Sequence, residues 1–106
     1  MGPWGILLLA GALEIVWALS MKASNGFTHV GYSILTGVVA FFGFWLLAMA
    51  MKDLPVGTAY AVWVGIGAVG TAVFGIIWFH DSITVLRIAG IALIVAGVTA
   101  LKISSN

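Results

Sequence analysis

One acidic residue, Glu14, lies inside the apolar run LLLAGALEIVWALS that extends from Leu7 to Ser20. A carboxylate at the centre of a membrane helix costs roughly 2.5 to 3.5 kcal/mol on insertion scales, so such a residue is expected to face a bundle interior or an aqueous cavity and to hold something there. No basic side chain is available inside an apolar run to neutralise it, because Lys22, Lys52, Arg87 and Lys102 all stand at the ends of such runs. The partner left is a proton or a cationic ligand. The plainer reading makes Glu14 a protonated glue between helices, contributing about 1 kcal/mol. Its neighbours favour a site: Ala10, Gly11, Trp17 and Ala18 stand three or four positions away and share its helical face. Small residues beside an acid leave room for a ligand, although they also let backbones pack closely.

The second stretch with chemical content is GTAYAVWVGIGAVG, from Gly57 to Gly70. Tyr60 and Trp63 are three apart and fall on one helical face that continues through Gly67, while Gly65 and Gly67 offer a weak point in the helix. An aromatic pair at this spacing serves packing as readily as ligand binding. Beside a buried carboxylate, however, π faces suit a cation specifically. Other chemistries lack their residues. His29 and His80 are loop residues without metal-ligand spacing, and the remaining acids, Asp53 and Asp81, also fall in loops, so no metal site or catalytic dyad is expected. No nucleophile elbow or phosphate-binding glycine loop occurs, and there is no cysteine. Neither an enzyme, nor a cofactor, nor a nucleic-acid surface is expected.

The elements that must position these residues follow from composition. The chain has 106 residues, 63% of them hydrophobic and 7% charged, which marks an integral membrane protein. Polar clusters at NGFTH (25–29), KDLP (52–55) and HDSIT (80–84) separate four apolar stretches, approximately 4–21, 30–51, 56–79 and 85–103. Each is near the ~20 residues that a spanning helix needs. The fold class is all-α, a single four-helix transmembrane domain over 1–106. Asn25-Gly26 is expected to stop the first span, Pro55-Gly57 to open the third, and Ser82 or Thr84 to cap the fourth. Trp4, Trp78 and Phe79 fall near span ends as interface anchors. The N-terminus lacks the positive region of a secretory signal, and Ile6 stands where a myristoylation signal needs Ser or Thr.

Four short helices are too few to enclose a polar pathway, so a polar site implies oligomerisation. Basic residues in cytoplasmic loops normally fix orientation, but here Lys52 and Lys102 belong to one side and Lys22 and Arg87 to the other. Either one of these charges outweighs the rest by its position, or the chain inserts both ways and pairs with an inverted copy. The second arrangement would supply between chains the inverted repeat that larger transporters carry within one.

Four short spans with ALEIVWA around Glu14, LPVGTAYAVWVGIGAVG from Leu54 to Gly70, and a closing GIALIVAGVTALK resemble the small multidrug resistance family over essentially the whole chain. Within that family, Trp17 and the third-span motif resemble the guanidinium exporters more than the quaternary-ammonium exporters. The resemblance implies a proton-coupled antiporter of the inner membrane, built as an antiparallel homodimer in the bilayer. Some relatives pair unlike chains, so a heterologous subunit is an alternative. It further implies that Glu14 from each copy binds proton or substrate, that Trp17, Tyr60 and Trp63 line the site, and that Gly90 and Gly97 make the dimer contact. Gly11 and Gly43 are candidate lining residues. Gly43 stands where the family usually carries Ser; it removes a hydroxyl donor and adds volume, which broadens the expected range toward substituted guanidines and quaternary ammonium cations. Val64, His29 and Asp81 also depart from the family pattern and are read as neutral. A non-transporting membrane subunit, with Glu14 as glue only, is the reading from another functional class.

Overall fold

The computed structural model describes residues 2–104. It has four helices: α1 Pro3–Ala23, α2 Val30–Ala50, α3 Val56–Phe79 and α4 Val85–Ser104. Their lengths of 21, 21, 24 and 20 residues, and their hydropathy, are sufficient for each to cross a membrane. Local chemistry sets their ends. Pro3 opens α1, where its missing N–H costs nothing. The turn after α1 is held by Ser24, whose hydroxyl accepts a hydrogen bond from the Phe27 backbone N–H at 3.0 Å. Asn25, Gly26 and Phe27 then take left-handed backbone angles (φ 51°, 70° and 66°), which bends the chain back toward α2. Pro55 precedes α3, and His80 closes it with a left-handed φ of 58°. Thr84 caps α4 by accepting a hydrogen bond from the Arg87 N–H at 3.1 Å.

Small residues decide how the helices meet. In lipid, helices associate through close packing rather than through the hydrophobic effect, so positions without a bulky side chain set the contacts. α1 and α2 run antiparallel, with Leu13 opposite Gly43 and Ser20 opposite Thr36. The second pair is a buried cross-helix hydrogen bond, Thr36 Oγ1 to Ser20 Oγ at 3.0 Å. α1 and α3 run parallel: Ala10 meets Trp63, Gly11 meets Ile66, Glu14 meets Gly67, and Ile15 meets Gly70. The buried apolar core is Leu7, Ala10, Leu47, Ala50, Ala59, Val62 and Trp63, contributed by α1, α2 and α3. α4 stands apart. Its backbone comes close only to α3, with Val98 against Gly65, and none of its described residues is buried.

Candidate functional site

Glu14 sits midway along α1 and turns its side chain onto the backbone of α3. A Cβ atom at Gly67 would overlap the Glu14 carboxyl carbon and Oε2, so only glycine leaves space for the carboxylate at this point. The sequence suggested Gly67 as a weak point in the helix. In the structure α3 is continuous through both Gly65 and Gly67, and each is a place of close approach, Gly65 to Val98 and Gly67 to Glu14.

Two polar atoms near this contact lack partners. Glu14 Oε2 and Trp17 Nε1 are buried without a hydrogen bond among the described residues. Burying an unsatisfied polar group costs on the order of 1–3 kcal/mol, so this acceptor and this donor, one helical turn apart on α1, each call for a partner.

Four aromatic rings form a connected series across α1, α2 and α3. Trp63 is only 4% exposed and is locked to α1 by its indole N–H, which donates to the Ala10 carbonyl at 3.2 Å. Tyr60 lies 5.7 Å from Trp63 between ring centres and is 54% exposed. On the other side Phe44 of α2 lies 5.5 Å from Trp63 and 6.5 Å from Trp17, tilted to both. The series Tyr60, Trp63, Phe44, Trp17 thus brings one residue or more from each of α1, α2 and α3 to one place. Its fixed member is Trp63, and Tyr60 and Phe44 remain exposed. A carboxylate with ring faces of this kind can hold a cation, because charge and ring quadrupole attract the same ligand.

Sequence reasoning missed Phe44. The signal available was a run of aromatics on α2, Phe41, Phe42, Phe44 and Trp45, but that helix is apolar on every side and its inward face could not be read.

The remaining candidates lie in different surroundings. Gly11 faces Ile66, and a Cβ there would come within 2.6 Å of the Ile66 Cγ2 atom, so Gly11 sets how closely α1 and α3 cross. Gly43 is buried on the α1–α2 seam. A Cβ at Gly43 would lie 3.7 Å from Leu13 Cβ and 3.9 Å from the Ala10 carbonyl oxygen, ordinary contact distances, with no Glu14 atom within 4 Å. Gly43 therefore adjoins the residue before Glu14, and the seam has room for a small side chain. Gly90 and Gly97 lie on the open surface of α4 with nothing within 4 Å of an added Cβ.

Comparison with known proteins adds an independent line. A family model described as Small Multidrug Resistance protein matches residues 2–94. The guanidinium exporter of Yersinia pseudotuberculosis is 51% identical over 102 residues, 96% of this chain and 98% of that protein. The guanidinium exporter of Proteus vulgaris matches to the same extent, and that of Escherichia coli K12 is 50% identical over 103 residues, 97% of this chain and 98% of the relative.

Proposed function

The chain belongs to the Small Multidrug Resistance protein family, a family of multi-pass inner-membrane exporters of small cations, and from that membership and the geometry around Glu14 we propose that it exports guanidinium in exchange for protons. The observation that carries the proposal is the buried Glu14 Oε2, which has no hydrogen-bond partner among the described residues and lies against Gly67, on the same two helices as the Trp17, Trp63 and Tyr60 rings. Guanidinium is planar, stays charged at physiological pH, and offers paired N–H donors that match a carboxylate fork. Its flat face suits the exposed Tyr60 and Phe44 rings that flank Trp63.

A proton and the cation compete for the same carboxylate, so occupancy by one excludes the other. Moving a bare carboxylate through a dry intermediate is costly, and the site therefore changes sides chiefly when occupied. An inward proton gradient then drives the cation out. Two antiparallel copies supply two Glu14 residues and an equivalent opening on each membrane face. The even distribution of Lys22, Lys52, Arg87 and Lys102 supports insertion in both orientations. The exposed α4 surface carrying Gly90 and Gly97, which lie seven residues apart on one face, is the dimer contact in this reading.

A wider substrate range has its own support in Gly43, which leaves the α1–α2 seam beside Leu13, the residue before Glu14, without a side chain. Proton-driven uptake into liposomes containing only this chain tests both points. Guanidinium transport is expected, with methylguanidinium carried as well and tetramethylammonium more weakly. Transport of none of the three would refute the proposal, and a preference for tetramethylammonium would replace guanidinium as the substrate class.

A further inference from the structure

A groove runs along the outside of the helix bundle, away from Glu14. Its floor is α3, and its two walls are α1 and α4, which do not pack against each other. At one end it is lined by Trp4, Leu8, Val62 and Lys102, and it continues past Ile66 and Val98 to Ile15, Val69 and Val95. The two halves share Ile66, Val98 and Thr99, so the groove is continuous. Apart from Lys102 and the Thr99 hydroxyl, which is satisfied by the Val95 carbonyl at 2.8 Å, the lining is apolar.

Three features describe the occupant. The first is depth: from Trp4 to Ile15 the groove extends roughly 16 Å at the helical rise of ~1.5 Å per residue. That equals about one leaflet of a hydrocarbon core ~30 Å thick. The second is charge. Lys102 stands at the headgroup end, its Nζ 4.7 Å from the centre of the Trp4 ring, and among the described residues no acidic side chain lines the groove. The ammonium is thus held over an interface aromatic, and its donors make no hydrogen bond among the described residues. The third is direction. At 100° per residue, Val95, Thr99 and Lys102 lie roughly 140–200° around α4 from Gly97 and so face away from the Gly90–Gly97 surface. A second copy docked on that surface leaves the groove facing lipid.

We propose that this groove is a binding site for an anionic glycerophospholipid, with one acyl chain along Ile66, Val69 and Val95 and the headgroup phosphate on Lys102. The inference is independent of what the protein transports. A lipid seated here bridges α1 and α4 across a gap that the chain itself closes only through the Lys102–Trp4 contact.

The test is lipid retention by the purified full-length protein in mild detergent, read by native mass spectrometry with phosphatidylglycerol and phosphatidylcholine of identical acyl chains. Wild type is expected to retain phosphatidylglycerol over phosphatidylcholine by about fivefold, the size expected for one lysine near an anionic lipid. Lys102→Gln should abolish that preference while both lipids still bind. Val95→Trp, at an exposed position on the groove wall, should reduce retention of both, and Thr99→Phe serves the same purpose if the Trp variant does not assemble. Glycerol phosphate added in excess should not displace the lipid. Equal retention of the two lipids by wild type, an undiminished preference in Lys102→Gln, or full retention in the groove-filling variant would each overturn the proposal. Displacement by glycerol phosphate would do so as well, by making Lys102 a site for free anions.

Discussion

Gly67→Ala places a single methyl group where the structure holds the Glu14 carboxyl group. The added carbon would overlap Glu14 Cδ and Oε2 and would stand only 2.8 Å from Glu14 Cγ. Non-bonded carbons sit at about 3.5–4.0 Å, so the carboxyl group must withdraw by roughly 1 Å or more. The end of a glutamate side chain can swing aside more easily than a helix can move, and the fold is therefore expected to survive. What changes is the position of the acid relative to the Trp63 and Phe44 rings. Overpacking of this size costs about 1–3 kcal/mol, which corresponds to a loss of guanidinium affinity of about 5- to 150-fold. Binding is measured by calorimetry on the purified protein, and assembly by size-exclusion chromatography on the same sample. Gly65→Ala supplies the contrast: its methyl would come within 2.5 Å of Val98 Cγ2 on α4, so it should lower thermal stability and leave guanidinium affinity nearly unchanged. If Gly67→Ala binds guanidinium within about twofold of wild type, the carboxylate does not rest on Gly67 and the site geometry described above is wrong.

Glu14→Gln keeps the shape and removes the charge; it should abolish both guanidinium binding and proton-coupled transport while leaving assembly intact, and a variant that still concentrates guanidinium against its gradient would contradict the mechanism. Phe44→Ala removes a ring from beside Trp17 and Trp63 and should weaken guanidinium binding by about 2- to 30-fold, the range for one cation–π contact, with Phe44→Tyr close to wild type in the same calorimetric titration. Gly43→Ser fits the available space at the seam and should cost little stability; it should reduce transport of phenyl-substituted guanidinium more than of guanidinium, whereas equal losses would make Gly43 a packing residue only. Two lysines added to one loop should fix the orientation and lower transport, and coexpression with an oppositely fixed variant should restore it. Because the native chain has no cysteine, single introduced cysteines can report the side of each loop, and labelling from one side alone would refute dual insertion.

Much of the architecture is a local property and was legible without coordinates. Span number and position follow from apolar length, and the helix ends follow from turn chemistry: Asn25-Gly26 after α1, Pro55 before α3, and Thr84 capping α4. Glu14 was conspicuous because a carboxylate in an apolar helix needs a reason that its neighbours in sequence do not give. The helix faces were not legible. α2 and α3 are apolar all round, and a lipid-facing side chain is as hydrophobic as one facing another helix, so periodicity carries almost no information about which side turns inward. Only the packed structure shows that Phe44 is the ring joining Trp17 to Trp63, that Gly67 makes space for the Glu14 carboxylate, and that Gly43 lies against Leu13 rather than Glu14. The same holds for Trp4 and Lys102, which stand at opposite ends of the sequence and meet across the groove. Such contacts depend on the angle and rotation at which helices cross. Small residues in segments distant along the chain set these jointly, and no single segment encodes them.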